Sequence, residues 1–424
     1  MSNDPQSALA GALLPLQPLV VRDGRNFDLG SKARTLPWPY PSVPAGAVRS
    51  LIGRQGEGAA MVERLKQLQV RGPFPWDGEK LYLPAPADMH LAAVLPGRFY
   101  EYERLTPGDA TQTPPPDTQD KLRAWLQRLG RFVRWHLPPA QTTAEVDPAV
   151  VALQTLQVKK LEKSPPGLAW WSSSDYLAWA TPRDKITIGN PPPFAAGLPA
   201  AVRTHARIDG LSGQNDEVFQ TTGLDFTRRP DKAALAGRDY AARQRQWAPL
   251  GLAVDVRGDA DCLRHLSRPL MTTLGGERRA AWWEPGERIA DALAMRELTQ
   301  STARYWRSSG CRKRLRAVLL TPAYFRTGWW PDWLSTASGS GVLPGTDLRL
   351  TLVAAATRRW SGVSGWDMEQ NRPKPTRRLV PAGSVFYFKV GEGAVDFEKI
   401  HMISLCSDEQ SRRDGFGLAL WGVE

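Results

Sequence analysis

Between Asn371 and Arg378 stand four cations, Arg372, Lys374, Arg377 and Arg378, and no acid. Pro373 and Pro375 hold this stretch extended and deny it a helix. An extended cationic loop can track a row of phosphates, or it can be a solvated surface loop with no partner. Leu274-Gly-Gly-Glu-Arg-Arg279 is a second candidate. Its glycines permit close backbone approach and positive φ, and Arg278 and Arg279 can donate forked hydrogen bonds to phosphate; an ordinary turn reads equally well. At the C-terminus, Asp414-Gly-Phe-Gly417 puts Gly415 and Gly417 at the head of an apolar strand. Such a turn can pass close to a sugar-phosphate backbone or simply relieve a tight bend.

The chain holds little that could perform catalysis. Its five histidines are scattered, and Cys262 with His265 forms a lone C-x-x-H without the second ligand pair of a zinc site. The glycine-dense pieces lack the context of a phosphate-binding loop or a dinucleotide fingerprint, so neither metal nor cofactor is expected. His205 is the histidine to weigh. In Thr204-His-Ala-Arg-Ile-Asp209 it sits two residues from Arg207 in a β-like segment, where alternation puts both on one face. It can stack on or hydrogen-bond a nucleotide, act as a general base in RNA cleavage, or pair structurally with an acid. With no second acid or base in view, binding or structure is preferred to catalysis.

These residues need elements to hold them. The first dozen residues read as a loose tail, and order is expected from a β-like run at Leu16 to Arg22. A helix follows with Ser42 as cap, Pro44 in its first turn, and Val43, Ala47, Val48, Leu51 and Ile52 at helical spacing, leaving Arg49 and Arg54 off the stripe. Strands are expected at Lys80 to Leu83 and Leu91 to Leu95, a loop at Thr106 to Thr118, and an amphipathic helix from Asp117 to Leu137. Trp170 to Ala180, bracketed by proline-rich stretches, looks like an insertion. Thr204 to Phe226 reads as short strands and turns, and Thr227 to Gly237 as a domain boundary. In the second half, Leu252 to Val256, Arg316 to Leu320, Leu348 to Ala354, Ser384 to Val390, Lys399 to Leu405 and Gly417 to Val423 read as strands, and Glu284 to Arg307 as mainly helix. The expected class is α+β: a tail over 1–15, then modules over 16–235 and 236–424, each an antiparallel sheet with helices on one face.

Charge points to an anionic partner. Lys and Arg number 55 against 43 acids in 424 residues, a surplus of 12. Between Arg264 and Arg316 there are twelve cations and five acids. Three cysteines without CxxC spacing suit a reducing cytosol. The N-terminal apolar run lacks the basic residues of a signal peptide, and no segment approaches the roughly 18 apolar residues of a membrane span. The 17 tryptophans, paired at Trp170-Trp171, Trp282-Trp283 and Trp329-Trp330, can offer stacking platforms, though most are expected in the core.

Taken in order, several pieces resemble one family: Arg22-Asp-Gly-Arg-Asn-Phe27, Pro41 to Ser50, Thr204-His205 with Phe219 to Phe226, Leu274 to Arg278, Gly365-Trp-Asp367, Arg372 to Arg378, Val380-Pro-Ala-Gly-Ser384 and Gly415-Phe-Gly417. The family is the third subunit of the type III-B CRISPR effector, the Cmr complex, within the repeat-associated mysterious protein (RAMP) superfamily. Asn26 departs from the proline that the family pattern leads one to expect. The resemblance implies two ferredoxin-like, RRM-related modules and a non-catalytic, cytoplasmic subunit. Such a subunit holds the repeat-derived 5′ tag of the CRISPR RNA (crRNA), joins the large polymerase-like subunit to a backbone RAMP subunit, and meets target RNA only indirectly. On that reading Arg49, Arg54, His205, Arg207, Arg278, Arg279, Arg372, Lys374, Arg377 and Arg378 contact the tag, with Gly415 and Gly417 allowing backbone approach. An endoribonuclease using His205 as base and a general nucleic-acid binder are the competing readings.

Overall fold

The computed structural model describes residues 7–21, 35–54, 59–95, 99–104, 167–208, 215–226, 250–275, 277–308, 314–364, 366–367, 372–373 and 375–424. The expected loop at Thr106 to Thr118, the Asp117 to Leu137 helix and the Thr227 to Gly237 boundary lie outside these residues. The chain divides into two compact units. One comprises Met1–Tyr82, Gly197–Ala294 and Gly362–Arg377; the other comprises Leu83–Ala196, Met295–Ser361 and Arg378–Glu424. Each is assembled from three segments, so neither coincides with a contiguous half divided at residue 235.

The first unit is built on β1 (Ser7–Pro15), β2 (Gln69–Trp76), β5 (Gly251–Gly258), β6 (Leu270–Leu274) and β7 (Arg279–Pro285), with a separate hairpin of β3 (Ala200–Ile208) and β4 (Asn215–Leu224). The sheet order is β6-β7-β1-β5-β2, antiparallel throughout. The expected N-terminal tail is therefore corrected over Ser7–Pro15, which is an interior strand pairing Leu13 with Leu252 on one side and with Trp283 on the other. Its small residues made it look unstructured, yet the fold requires them. A Cβ on Gly11 would come within 2.5 Å of the Trp283 ring. Helices Ser42–Gly53, Ala260–Leu263 and Glu287–Ala294 cover one face of this sheet. The first buries Pro44, Ala45, Ala47, Val48, Leu51 and Ile52. Its N-cap is Pro41 with no side-chain cap, so the expected Ser42 cap is displaced by one position.

The second unit is built on β8 (Arg314–Leu319), β9 (Ser340–Val342), β10 (Arg349–Ala356), β11 (Val385–Val390), β12 (Ile403–Ser404) and β13 (Leu418–Val423), in the order β9-β10-β11-β8-β13-β12, again antiparallel. Three expectations change here and at the junction. Glu284 lies in the strand Arg279–Pro285, and the helical stretch is two helices, Glu287–Ala294 and Arg296–Ser308, separated at Met295 with φ +46°. Lys399 to Leu405 begins as the tail of helix Phe397–Ile400, capped by Asp396, before the short β12. Trp170 to Ala180 is core, with Trp171, Tyr176 and Trp179 almost wholly buried.

That last segment explains how this unit holds together. Gly422 on β13 lets helix Ser173–Ala180 lie directly on the sheet, since a Cβ there would meet Ala180 Cα at 3.0 Å. The helix end leaves carbonyls without helical partners. Arg316 Nη2 donates to the carbonyls of Trp179 and Thr181, and Arg104 Nη2 donates to the same two at 3.2 and 3.4 Å. The Arg316 guanidinium also lies 4.7 Å from the centre of the Trp179 ring. Burial, with Arg104 nearby, lowers Arg316 to about 9, so it remains a cation at neutral pH. Asp88, fully buried, supplies the counter-charge. It accepts from Arg104 Nη1 at 3.3 Å, Trp179 Nε1 at 2.9 Å and Tyr387 Oη at 2.8 Å.

Removing Asp88 orphans three buried donors. Asp88→Ala is expected to lower the unfolding free energy by about 3–5 kcal/mol, read by denaturant titration, with Asp88→Asn intermediate. His401 gives a separate expectation. Its Nδ1 accepts from the Trp421 N–H at 3.2 Å, and burial lowers the imidazole to about 3. The unfolded chain titrates near the ordinary value of about 6.5 and so binds the extra proton below that pH. Stability should therefore fall as pH drops from about 6.5 towards about 3, by up to about 1.4 kcal/mol per unit from this group. His401→Asn, which retains an acceptor, should flatten that part of the profile.

Candidate nucleic-acid interface

The cations selected from sequence fall into distinct local settings. Arg49, on helix Ser42–Gly53, donates through Nε to the Leu65 carbonyl at 3.0 Å and through Nη2 to that of Leu68 at 3.1 Å. It thereby satisfies carbonyls at the end of helix Ala59–Gln67. Arg54 follows the end of its own helix and is exposed.

The Gly-Gly-Glu-Arg-Arg turn joins β6 to β7. Gly275 has φ +72°, and a Cβ there would lie 2.6 Å from the Val20 carbonyl oxygen, which accounts for glycine at this position. Arg278 has φ +48° and an exposed side chain. Arg279 turns inward and pairs with Glu277. Of the two neighbours, Arg278 is thus directed to solvent and Arg279 is held by the chain's own acid.

His205 lies on the β3–β4 hairpin, opposite Phe219 in register. Its Nε2 is 2.7 Å from Thr221 Oγ1. The paired acid of the structural alternative is not what this nitrogen meets. Arg207 follows at the register position opposite Glu217, and Arg203, opposite Thr221, is exposed. Sequence reading missed Arg203, although the same i, i+2 alternation that linked His205 with Arg207 also reaches it.

In the proline-broken loop, Arg372 forms a two-residue strand with Pro373, pairing Asp367 and Trp366; Lys374 lies outside the described residues. Arg377 and Arg378 open the strand Arg377–Leu379, which pairs with Ser361–Val363. Both are exposed. The Arg378 guanidinium sits 4.9 Å from the centre of the Trp360 ring, itself 47% exposed. Such a contact contributes about 0.5–1 kcal/mol at an exposed site. Eighteen residues separate the two, and nothing in the sequence links them.

The C-terminal glycines are not open backbone. Gly415, with φ +90°, ends helix Glu409–Asp414, and Gly417 follows with φ +71°. Both are buried. Thr321 Oγ1 donates to the Gly415 carbonyl at 2.7 Å, Ser404 Oγ to that of Phe416 at 2.5 Å, and the Leu405 N–H to that of Gly417 at 2.8 Å. A Cβ on Gly417 would lie 2.6 Å from Cys406 Sγ. The glycines serve a tight internal bend, the bland alternative at the outset. Cys406 is equally committed to the interior, its thiol pushed up to about 12 by burial. Cys262 is buried in helix Ala260–Leu263, and among the described residues no cluster of three metal-ligating side chains occurs.

The fold and surface define an α+β protein built mainly on two antiparallel sheets, which displays cations on turns and short strands. Over residues 12–424 the chain matches the family described as CRISPR-associated protein (Cas_Cmr3), and it belongs to that family. No curated protein matches it. Solved structures similar to it include two of a Cmr-beta complex. One is a cryo-EM structure of the type III-B Cmr-beta bound to cognate target RNA, 12% identical, covering 89% of this chain and 86% of that one, with a TM-score of 0.39. The other, of Cmr-beta bound to cognate target RNA and AMPPnP in state 1, is 11% identical, with coverage of 89% and 86% and a TM-score of 0.38.

Proposed function

We propose that this chain is a non-catalytic, RNA-binding subunit of a type III-B CRISPR effector. In this reading it holds the 5′ tag of the crRNA and bridges the large polymerase-like subunit to a backbone RAMP subunit in the cytoplasm. The observation that carries the reading is family membership over residues 12–424. The strand order supports the architecture expected of that family. Strands β1, β2, β5 and β7, taken as first to fourth, lie in the order fourth-first-third-second, with helices after the first and third, as in a ferredoxin-like βαββαβ module. The second sheet repeats the order with β8, β10, β11 and β13. Turns around the buried Trp330 stand there between the first two strands.

Arg54, Arg278, Arg377 and Arg378, all exposed, suit phosphate contact, and exposed Trp360 beside Arg378 adds an aromatic face for a base. His205, already sharing a hydrogen bond with Thr221, suits a binding role better than general-base work. No helix among the described residues is long and apolar enough to cross a membrane.

Charge reversal tests the loop's part in this. In a complex coexpressed with its partner subunits and a CRISPR array, Arg377→Glu with Arg378→Glu should reduce retained guide RNA at least about tenfold, as loss of two charge-assisted contacts implies. The variant's thermal midpoint should stay close to that of the parent. Undiminished RNA with an intact fold would remove this strand from the interface.

A further inference from the structure

The first unit's sheet has a second face, opposite its helices, and a charge imbalance lies on it. Antiparallel register places Arg71 opposite Asp255 and Gln69 opposite Arg257. On the neighbouring strand Ala10 stands opposite Asp255 and Ala8 opposite Arg257. Residues paired in this way point to the same side of a sheet. Arg257 has its partner, since its Nε donates to Asp255 at 2.8 Å. Arg71 is different. Its Nε is buried without a hydrogen-bond partner among the described residues. Burial, followed by the charge of Arg257, lowers Arg71 to about 10, and Asp255 offsets this least. Arg71 is therefore still a cation at neutral pH, and two guanidiniums share one carboxylate. The Arg71 side chain is only partly buried, so its outer N–H groups stay open to an anion while Asp255 is already bonded to Arg257.

We propose that Arg71 and Arg257 form a phosphate site that takes the backbone of a single-stranded RNA passing beside Ala8 on this face of the sheet. The proposal deepens the RNA-binding reading above and rests on it. Phosphate suits the pair because guanidiniums donate in forked geometry to its oxygens. The rest of the face favours RNA over an acidic protein segment. Exposed Ala8 leaves a low floor beside Arg257, and on the same face Trp282 pairs in register with Leu14 and Met271. Trp282 is 36% exposed and Met271 48%. An indole available for stacking beside a cationic groove is the arrangement by which single strands are held without sequence preference.

The test is made on the full-length chain with two probes, a fluorescein-labelled single-stranded RNA and inorganic phosphate. Arg71→Met keeps bulk while removing charge. It should weaken RNA binding at least about tenfold and lower the salt dependence of log K by about 0.7, the slope of one single-strand phosphate contact. It should also raise the thermal midpoint of the RNA-free protein, because an uncompensated cation is gone. Phosphate should raise the midpoint of the parent and leave that of Arg71→Met unchanged. Equal RNA affinity in parent and variant overturns the site, and if phosphate alone still discriminates them, the ligand is a small phosphate and not RNA. Equal RNA affinity combined with loss of a copurifying partner subunit assigns the pair to an acidic protein segment and overturns the proposal too. A parent that binds no RNA at all refutes the broader RNA-binding reading instead.

Discussion

A single carboxylate governs the second unit. Asp88 lies with no exposure at the meeting point of Arg104, Trp179 and Tyr387, while Arg316 joins through the carbonyls it shares with Arg104 at the end of helix Ser173–Ala180. The group gathers residues from the chain before, within and after the helix, so the sheet and its covering helix are ordered together. Two buried guanidiniums are tolerable there because a carboxylate and a helix C-terminus both oppose them. Tyr387, its phenol held well above the ordinary range by burial, stays protonated and donates to the same carboxylate.

Burial separates the structural arginines from the exposed ones. Arg49, Arg104, Arg279 and Arg316 all meet carbonyls or acids of their own unit. Arg54, Arg278, Arg377 and Arg378 reach solvent. Arg71 belongs to neither group: Arg279 and Arg316 also enclose an unbonded Nε, but each has another nitrogen on an acid or carbonyl of its unit, and Arg71 has none among the described residues. In a chain with a surplus of twelve positive charges, the cations placed to meet an anionic partner are those that reach the surface.

Much of the architecture was legible because β-branched and aromatic runs announce strands: Leu252 to Val256 falls within one, and Ser384 to Val390 and Gly417 to Val423 match theirs to within one residue. The N-terminal strand was not, because Ala8, Ala10, Gly11 and Ala12 lack that signature, and their value depends on Trp283 more than two hundred residues away. Trp170 to Ala180 was misread for a related reason. Flanking prolines suggested an insertion, while Asp88 and Arg316, distant in sequence, make its helix central. Among site residues, local turn chemistry was readable at Gly275 and Arg278. The partners that decide availability were not: Glu277 could have taken either arginine, and neither Trp360 beneath Arg378 nor Thr321 at Gly415 has a local sequence signal. Arg71 was invisible because its meaning lies in cross-strand register.

In the proposed function the chain holds the 5′ tag of a guide RNA within its complex. The most direct measurement is to sequence the 5′ ends of the RNA that copurifies when the chain is coexpressed with its partner subunits and a CRISPR array. The account predicts one shared, repeat-derived 5′ sequence, whereas random 5′ ends or an RNA-free complex would contradict it.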